Sequence, residues 1–251
     1  MKTSHRDVVV AAPNELDAML TDIVRHRLGG PDCLRILDAG CGRMWTWDLQ
    51  GMPFHLTGLD SDADALRLRV EQRGDLDEWL AGDLRTVPLP PGHFDLVYSA
   101  YVLEHVDGAE LVLDRMFDTL RPDGLMVIKI PDGDSVYGFL TRITPHQVHV
   151  LYKRWIRRKP LAGTPGHGPY PVVYDDVISL DGITAWASAH DLEVIATYGD
   201  NSHLQFFGRL APVIDVGLRL IASLSFGRLT ARYSNLAVVM AKRQSGQAGT
   251  G

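Results

Sequence analysis

Between residues 34 and 130, short apolar runs alternate with amphipathic stretches, an order that few folds accommodate. Leu34 to Asp38 is a short apolar run that ends in Asp38-Ala39-Gly40-Cys41-Gly42, the pattern of a buried strand entering a glycine-rich turn. Phe54 to Leu59 is a second run, closed by Asp60, and Asp62 to Gln72 then predicts a helix capped by Ser61 or Asp62. Glu78 to Ala81 predicts a third strand before Gly82-Asp83, and Phe94 to Ser99 a fourth, followed by a helix from about Asp107 to Leu120. Arg121-Pro122-Asp123-Gly124 reads as a turn. Leu125 to Ile130 is then a fifth strand, nearly all apolar, as expected where helices cover both faces of a parallel sheet. Upstream, Asn14 to Leu28 has helical spacing, with Asn14 as N-cap and Gly29-Gly30-Pro31 as its stop. Downstream, Ser179 to His190 predicts a helix, and Leu192 to Tyr198 and Ser234 to Ala241 the last strands. The sum is an α/β fold, a doubly wound sheet.

Two segments break the rhythm. Residues 131–175 are too long, and too rich in Gly and Pro near their end, for an ordinary connection, and they read as an insertion after the fifth strand. Residues 201–232 hold a mostly apolar helical insertion between the last two strands, Leu204 to Phe226, with Pro212 as its kink. Residues 244–251 form a Gly/Ser/Thr/Gln-rich tail, expected to be flexible. Otherwise 1–251 reads as a single domain. Charge sets the insertions apart. The chain carries 25 Lys+Arg and 31 Asp+Glu, a net −6 that disfavours a general nucleic-acid binder. Residues 135–174 carry six basic and no acidic residues, and 201–235 four basic residues against Asp215, which leaves −15 for the rest. Only two cysteines occur, Cys33 and Cys41, without metal-ligand spacing, so no metal is expected and a reducing cytoplasm fits. Lys2, His5, Arg6 and Asp7 interrupt the first ten residues where a signal peptide needs an apolar core, and no run is long enough to span a membrane. Peripheral membrane association stays open. The apolar insertion reads either as a lid helix pair or homodimer surface, or as a membrane contact or greasy acceptor channel.

The candidate chemistry sits at successive strand ends. Gly40 and Gly42 let backbone approach a ligand closely. A dinucleotide turn would need a third glycine where Trp45 stands, so phosphate cradling, and with it an NAD oxidoreductase, is disfavoured. Asp60 can accept both hydroxyls of a ribose, and Asp83 can accept from an adenine amino group. Either aspartate alone reads equally well as a helix cap or loop residue. Together they outline a nucleoside site without a phosphate binder.

Ile36 to Gly42, Leu59-Asp60, Gly82-Asp83-Leu84, Phe94 to Val97, Val102-Leu103-Glu104-His105-Val106 and Leu120 to Gly124, in that order, resemble the class I S-adenosylmethionine-dependent methyltransferases of the small-molecule type. The resemblance implies a Rossmann-like seven-stranded sheet with the last strand antiparallel, the two insertions forming a lid, and S-adenosyl-L-methionine as cofactor. It implies cofactor contacts at Asp38, Gly40 and Gly42 near the methionine end, Asp60 at the ribose, and Asp83 with the Leu84 backbone at adenine, with Ser99 joining the candidate set. Met44 stands where many members have a third glycine. Trp45 and Trp47 are read as core ahead of cofactor packing. Ser99-Ala100-Tyr101 replaces the Asn/Asp-Pro-Pro-Tyr/Phe signature of amino-methylating enzymes of nucleic acids, which disfavours that class. Glu104-His105 is read first as a structural or cofactor-side element. Tyr101 is a candidate acceptor-pocket residue, with a purely structural role equally open. His149, and after it His146, are the candidate general bases for a hydroxyl acceptor. The expected activity is methyl transfer to a small, anionic or lipid-like acceptor, oxygen favoured. Transfer to nitrogen or carbon, and a catalytically silent cofactor-binding partner subunit, remain alternatives.

Overall fold

A computed structural model describes residues 4–243, except 6, 13–14, 31, 44, 46, 50, 152–153, 156–157, 159, 161, 164–169, 171 and 174, and except the side chains of His146, His149 and Phe206. In chain order the elements are β1 (Val9–Val10), α1 (Leu16–Leu28), β2 (Leu34–Ala39), β3 (Phe54–Asp60), α2 (Ala63–Gln72), β4 (Glu78–Ala81), β5 (Phe94–Ala100), α3 (Ala109–Thr119) and β6 (Leu120–Pro131). They continue with α4 (Val136–Ile143), α5 (His146–Leu151), α6 (Leu180–Ala189), β7 (Leu192–Asp200), α7 (Ala211–Leu224) and β8 (Asn235–Lys242). Short 3-10 segments run over Leu103–His105 and Ser202–Leu210.

The strands form one sheet in the order β1-β7-β8-β6-β5-β2-β3-β4. All neighbours are parallel except β8, which runs antiparallel to both β6 and β7. The antiparallel last strand agrees with the expectation, but the sheet has eight strands, not seven. The addition is β1, two residues paired parallel to β7, too short to leave an alternation in the sequence. Strand residues alternate between two apolar layers. Leu37 and Ala39 join α3 and α6 on one face, while Leu34 and Ile36 join α1 and α2 on the other.

Local chemistry sets the element ends. Of the two candidate caps for α2, the cap is Asp62, whose carboxylate accepts the Ala65 N–H at 3.0 Å. Asn14 lies outside the described residues, and α1 starts at Leu16 with no side-chain cap. Two further expectations need correction. Arg121 to Gly124 is not a free turn but lies inside β6, where the pairing jumps from Phe94–Leu120 to Leu96–Leu125 and Asp123 takes a left-handed φ of 61°. The bend before α7 falls at Gly208 (φ 51°), not at Pro212, which sits in the first turn of α7, where its missing N–H costs nothing. Both irregular segments, 131–175 and 201–234, leave from the C-terminal edge of the parallel strands.

Candidate cofactor and acceptor site

β2 has β3 on one side and β5 on the other, so connections leave its C-terminal end in opposite directions and open a crevice there. A cleft of about 750 Å³ occupies that crevice. Gly40 (φ 76°) and Gly42 (φ 50°) form its floor. A Cβ on Gly40 would lie 2.2 Å from a Val102 methyl, whereas one on Gly42 would meet nothing within 4 Å. The turn is therefore packed tightly against the β5 side and open over Gly42. The N–H groups of Gly40 and Cys41 both bond to the Leu59 carbonyl, at 2.7 and 3.0 Å, which locks the turn to β3.

Asp60 projects from the end of β3 into the cleft wall. One carboxylate oxygen accepts the Gly42 N–H at 2.7 Å and the other the Asp62 N–H at 2.8 Å, so the group is fixed by backbone while its remaining lone pairs are available to a ligand. Asp83 and Leu84 line the opposite wall. The Asp83 carboxylate is gripped by the Arg85 guanidinium, with Nη2 at 2.6 Å and Nε at 3.0 Å, and that hydrogen bonding holds it down at about pKa 2. Tyr101 stands at the end of β5 with φ 58°, its N–H bonded to the Lys129 carbonyl. The residue is 39% exposed because it faces the cleft, yet the surrounding walls and the nearby Asp200 push its phenol well above its ordinary pKa. Lys129 Nζ lies 5.7 Å from the Tyr101 ring and pairs with Asp17 at 2.9 Å.

The structure thus brings Gly40, Gly42, Asp60, Asp83, Leu84 and Tyr101 around one cleft. Two expected cofactor residues lie elsewhere. Asp38 is buried behind the glycine turn, where Arg69 Nη1 reaches it at 2.9 Å and also bonds the Cys41 carbonyl. Burial pushes the Asp38 carboxyl up to about 7, against the lowering effect of Arg69. Its side chain supports the turn from below instead of facing a ligand. Ser99 is buried in β5, and its hydroxyl has no hydrogen-bond partner among the described residues. Trp45 and Trp47 cluster with Tyr98, at 5.6 and 4.6 Å between ring centroids, inside the apolar layer beneath the sheet. His146 and His149 belong to α5, but their side chains lie outside the described residues.

Among the other lining residues, Asp62, read only as a helix cap, and Arg85 were not anticipated; two more are His105, read as a structural or cofactor-side residue, and Tyr170, not anticipated at all. Tyr170, from the first irregular segment, donates its hydroxyl to Asp62 at 3.4 Å and meets the His105 ring edge-on at 5.8 Å. The neighbouring Glu104 is buried, and burial lifts its carboxyl to about 8, with one oxygen unbonded among the described residues. Arg85 could have been found two residues beyond Asp83. Tyr170 could not, because no local pattern links residue 170 to residue 62.

This donor set fits a nucleoside carrying a charged amino-acid arm. Carboxylates line the cleft walls, the turn leaves open space over Gly42, and Trp45 stands where a dinucleotide turn needs its third glycine. Residues 37–128 match the family model described as a methyltransferase domain. Over that stretch, somewhat more than a third of the chain, the sequence is similar to S-adenosylmethionine-dependent methyltransferases. Among curated proteins it is similar to a malonyl-[acyl-carrier protein] O-methyltransferase of Enterobacter lignolyticus, 29% identical over 128 residues, which cover 49% of each chain. It is also similar to a trans-aconitate 2-methyltransferase of Paracidovorax citrulli, 31% identical over 102 residues and 39% of each chain. The matched stretch therefore spans about half or less of these relatives' length. Among solved structures, an S-adenosylmethionine-dependent methyltransferase from Mesorhizobium loti shares the fold, with a TM-score of 0.54, 18% identity, and coverage of 88% of this chain and 96% of that one.

Proposed function

We propose that this protein transfers a methyl group from S-adenosylmethionine to an oxygen of a small or amphiphilic, anionic acceptor. The observation that carries the reading is the single cleft that joins Gly42 and Asp60 on one side to Tyr101 on the other. The cofactor supplies an electrophilic methyl on a sulfonium. The protein's part is alignment and exclusion of water, which provide most of the rate in an in-line displacement. Gly40 and Gly42 leave room for the amino-acid arm, Asp60 accepts the ribose hydroxyls, and Leu84 offers an apolar wall to the base. Asp83 keeps its adenine-side role only with lone pairs that Arg85 does not use.

On the acceptor side, Tyr101 stays protonated at neutral pH, so it serves as a hydrogen-bond donor that orients the acceptor, not as a base. Proton removal from a hydroxyl acceptor then falls to His149 or His146. A carboxylate acceptor needs no base, and the O-methyl transfer named for the malonyl-carrier relative supports oxygen as the receiving atom.

The test is untargeted mass spectrometry of host extracts incubated with the protein and methyl-deuterated cofactor. A labelled ester or ether is the expected product. A labelled amine or a carbon-methylated product would replace the oxygen reading. Cofactor binding without any labelled product would make the protein a silent partner subunit.

A further inference from the structure

Helix α7 is amphipathic the wrong way round for a helix that faces water. Ala211, Ile214, Leu218 and Ala222 are half-buried toward the fold, and none of its residues is fully buried. Val213, Val216, Leu220 and Leu224, spaced by three and four residues and so on one stripe, point outward with 57% to 75% of their surface exposed. Phe226, just past the helix end, is 94% exposed. The helix packs against α4, whose end carries exposed Ile143, and the chain continues through α5 to Trp155, 80% exposed. A continuous outward apolar stripe is not what a free surface presents.

The charges around the stripe select its occupant. Arg209 before α7 and Arg228 after it are exposed, and neither forms an ion pair among the described residues. Beside the helix, Arg219, Ser223, Thr230 and Arg232 line a groove of about 570 Å³. The apolar insertion, residues 201–232, carries four basic residues and one acidic residue on a chain of net −6, and residues 135–174 carry six basic and no acidic residues. A second copy would bring its own basic rim against this one, so self-association would be opposed by like charge. Fourteen residues are too few to span a bilayer, and no described helix is long and apolar enough to do so.

We infer that the outward face of α7, with Phe226 at its tip and Arg209 and Arg228 at its ends, is a peripheral docking surface for an anionic phospholipid bilayer. The apolar stripe enters the acyl boundary while the arginines remain at headgroup level. Both segments leave from the sheet edge that holds the cofactor cleft, so docking brings that edge toward the membrane. The inference rests on neither the identity of the acceptor nor methyl transfer itself.

The experiment is sedimentation of the full chain with vesicles of phosphatidylcholine alone and of phosphatidylcholine mixed with phosphatidylglycerol, at low and high salt. Wild type should sediment with the anionic vesicles and be released by salt. Arg209→Gln combined with Arg228→Gln should weaken partitioning about tenfold. Val213→Glu combined with Leu220→Glu should abolish it. These side chains face outward, so unchanged melting temperature and S-adenosylhomocysteine binding in both variants confirm that the fold is intact. Failure of wild type to bind anionic vesicles at low salt overturns the proposal, as does equal, salt-independent binding to neutral vesicles. Concentration-dependent dimerisation abolished by the glutamates, with no vesicle binding, would assign the face to a second copy and overturn it too.

Discussion

Arg69 is a buried charged side chain, and it shows how a ligand turn is held from behind. Its guanidinium reaches Asp38 at the end of β2, the Cys41 carbonyl within the turn, and Asp75 beyond α2. Removing one partner of a buried pair leaves the other without compensation, so Arg69→Leu should cost about 3 to 5 kcal/mol, read as a lower denaturant midpoint with unchanged slope. An unchanged midpoint would mean that the turn needs no support from below. Glu104 supplies a prediction with a sign. Burial raises its carboxyl from 4.5 to about 8, so the folded state holds a proton that the unfolded state has lost across that window. Its contribution to stability is greatest below the unfolded value and falls as pH rises toward 8. Glu104→Gln, neutral throughout, should match wild type near pH 5 and exceed it by on the order of 2 to 4 kcal/mol near pH 8. Parallel stability curves for the two proteins would refute the raised pKa. Asp60, Asp83 and the two glycines were legible in the sequence because strand ends beside a glycine turn expose their residues to one edge. The Asp38–Arg69 pair was not, because Arg69 sits on a helix that reads as polar and its partner is 31 residues away.

Among the elements, α3 shows how the first irregular segment is tied to the body. Its N-terminal N–H groups, on Gly108 and Ala109, both bond one oxygen of Asp175, at 3.0 and 2.8 Å. The capping residue thus arrives from 66 residues downstream instead of from the preceding loop. Asp175→Ala should lower stability by about 1 kcal/mol, as for other lost caps, a fall in melting temperature of about 2 to 4 °C for a chain of this size. A larger effect would show that the whole segment detaches with its anchor. The core strands and α1, α2, α3 and α6 follow from hydrophobic period alone, since each buries one face or both. What the sequence hid were features set by tertiary partners. These are the two-residue β1, which exists only by pairing with β7, the wide irregularity inside β6, and a bend that Pro212 advertised but Gly208 makes. Proline fixes one angle and fits a first helical turn, whereas the chain reversal requires a positive φ.

At the scale of the whole molecule, the cleft lies where the elements of both apolar layers meet at one sheet edge. Its walls come from the β2 turn, the β3–α2 junction, the β4 end and the β5 end, together with Tyr170 from the first irregular segment. A ligand seated there touches segments that separate when the chain unfolds, so binding must appear as global stabilisation. S-adenosylhomocysteine at about one hundred times its dissociation constant should add about 2.7 kcal/mol, raising the melting temperature by roughly 5 to 10 °C. NAD should give no shift, because Trp45 stands where a dinucleotide turn needs its third glycine. Asp60→Ala separates the ligand's contribution from the protein's own. The substitution also removes the bonds to the Gly42 and Asp62 N–H groups, so the ligand-free variant melts lower. The quantity that decides is the ligand-induced shift, measured for each protein against its own baseline. Losing a carboxylate that accepts ribose hydroxyls costs about 1.5 to 3 kcal/mol of binding, one to two decades in affinity. At the same ligand concentration the variant's shift should fall to half of wild type's or less. Equal shifts in the two proteins would remove Asp60 from the cofactor site, and a shift with NAD as large as that with S-adenosylhomocysteine would overturn the nucleoside reading of the cleft.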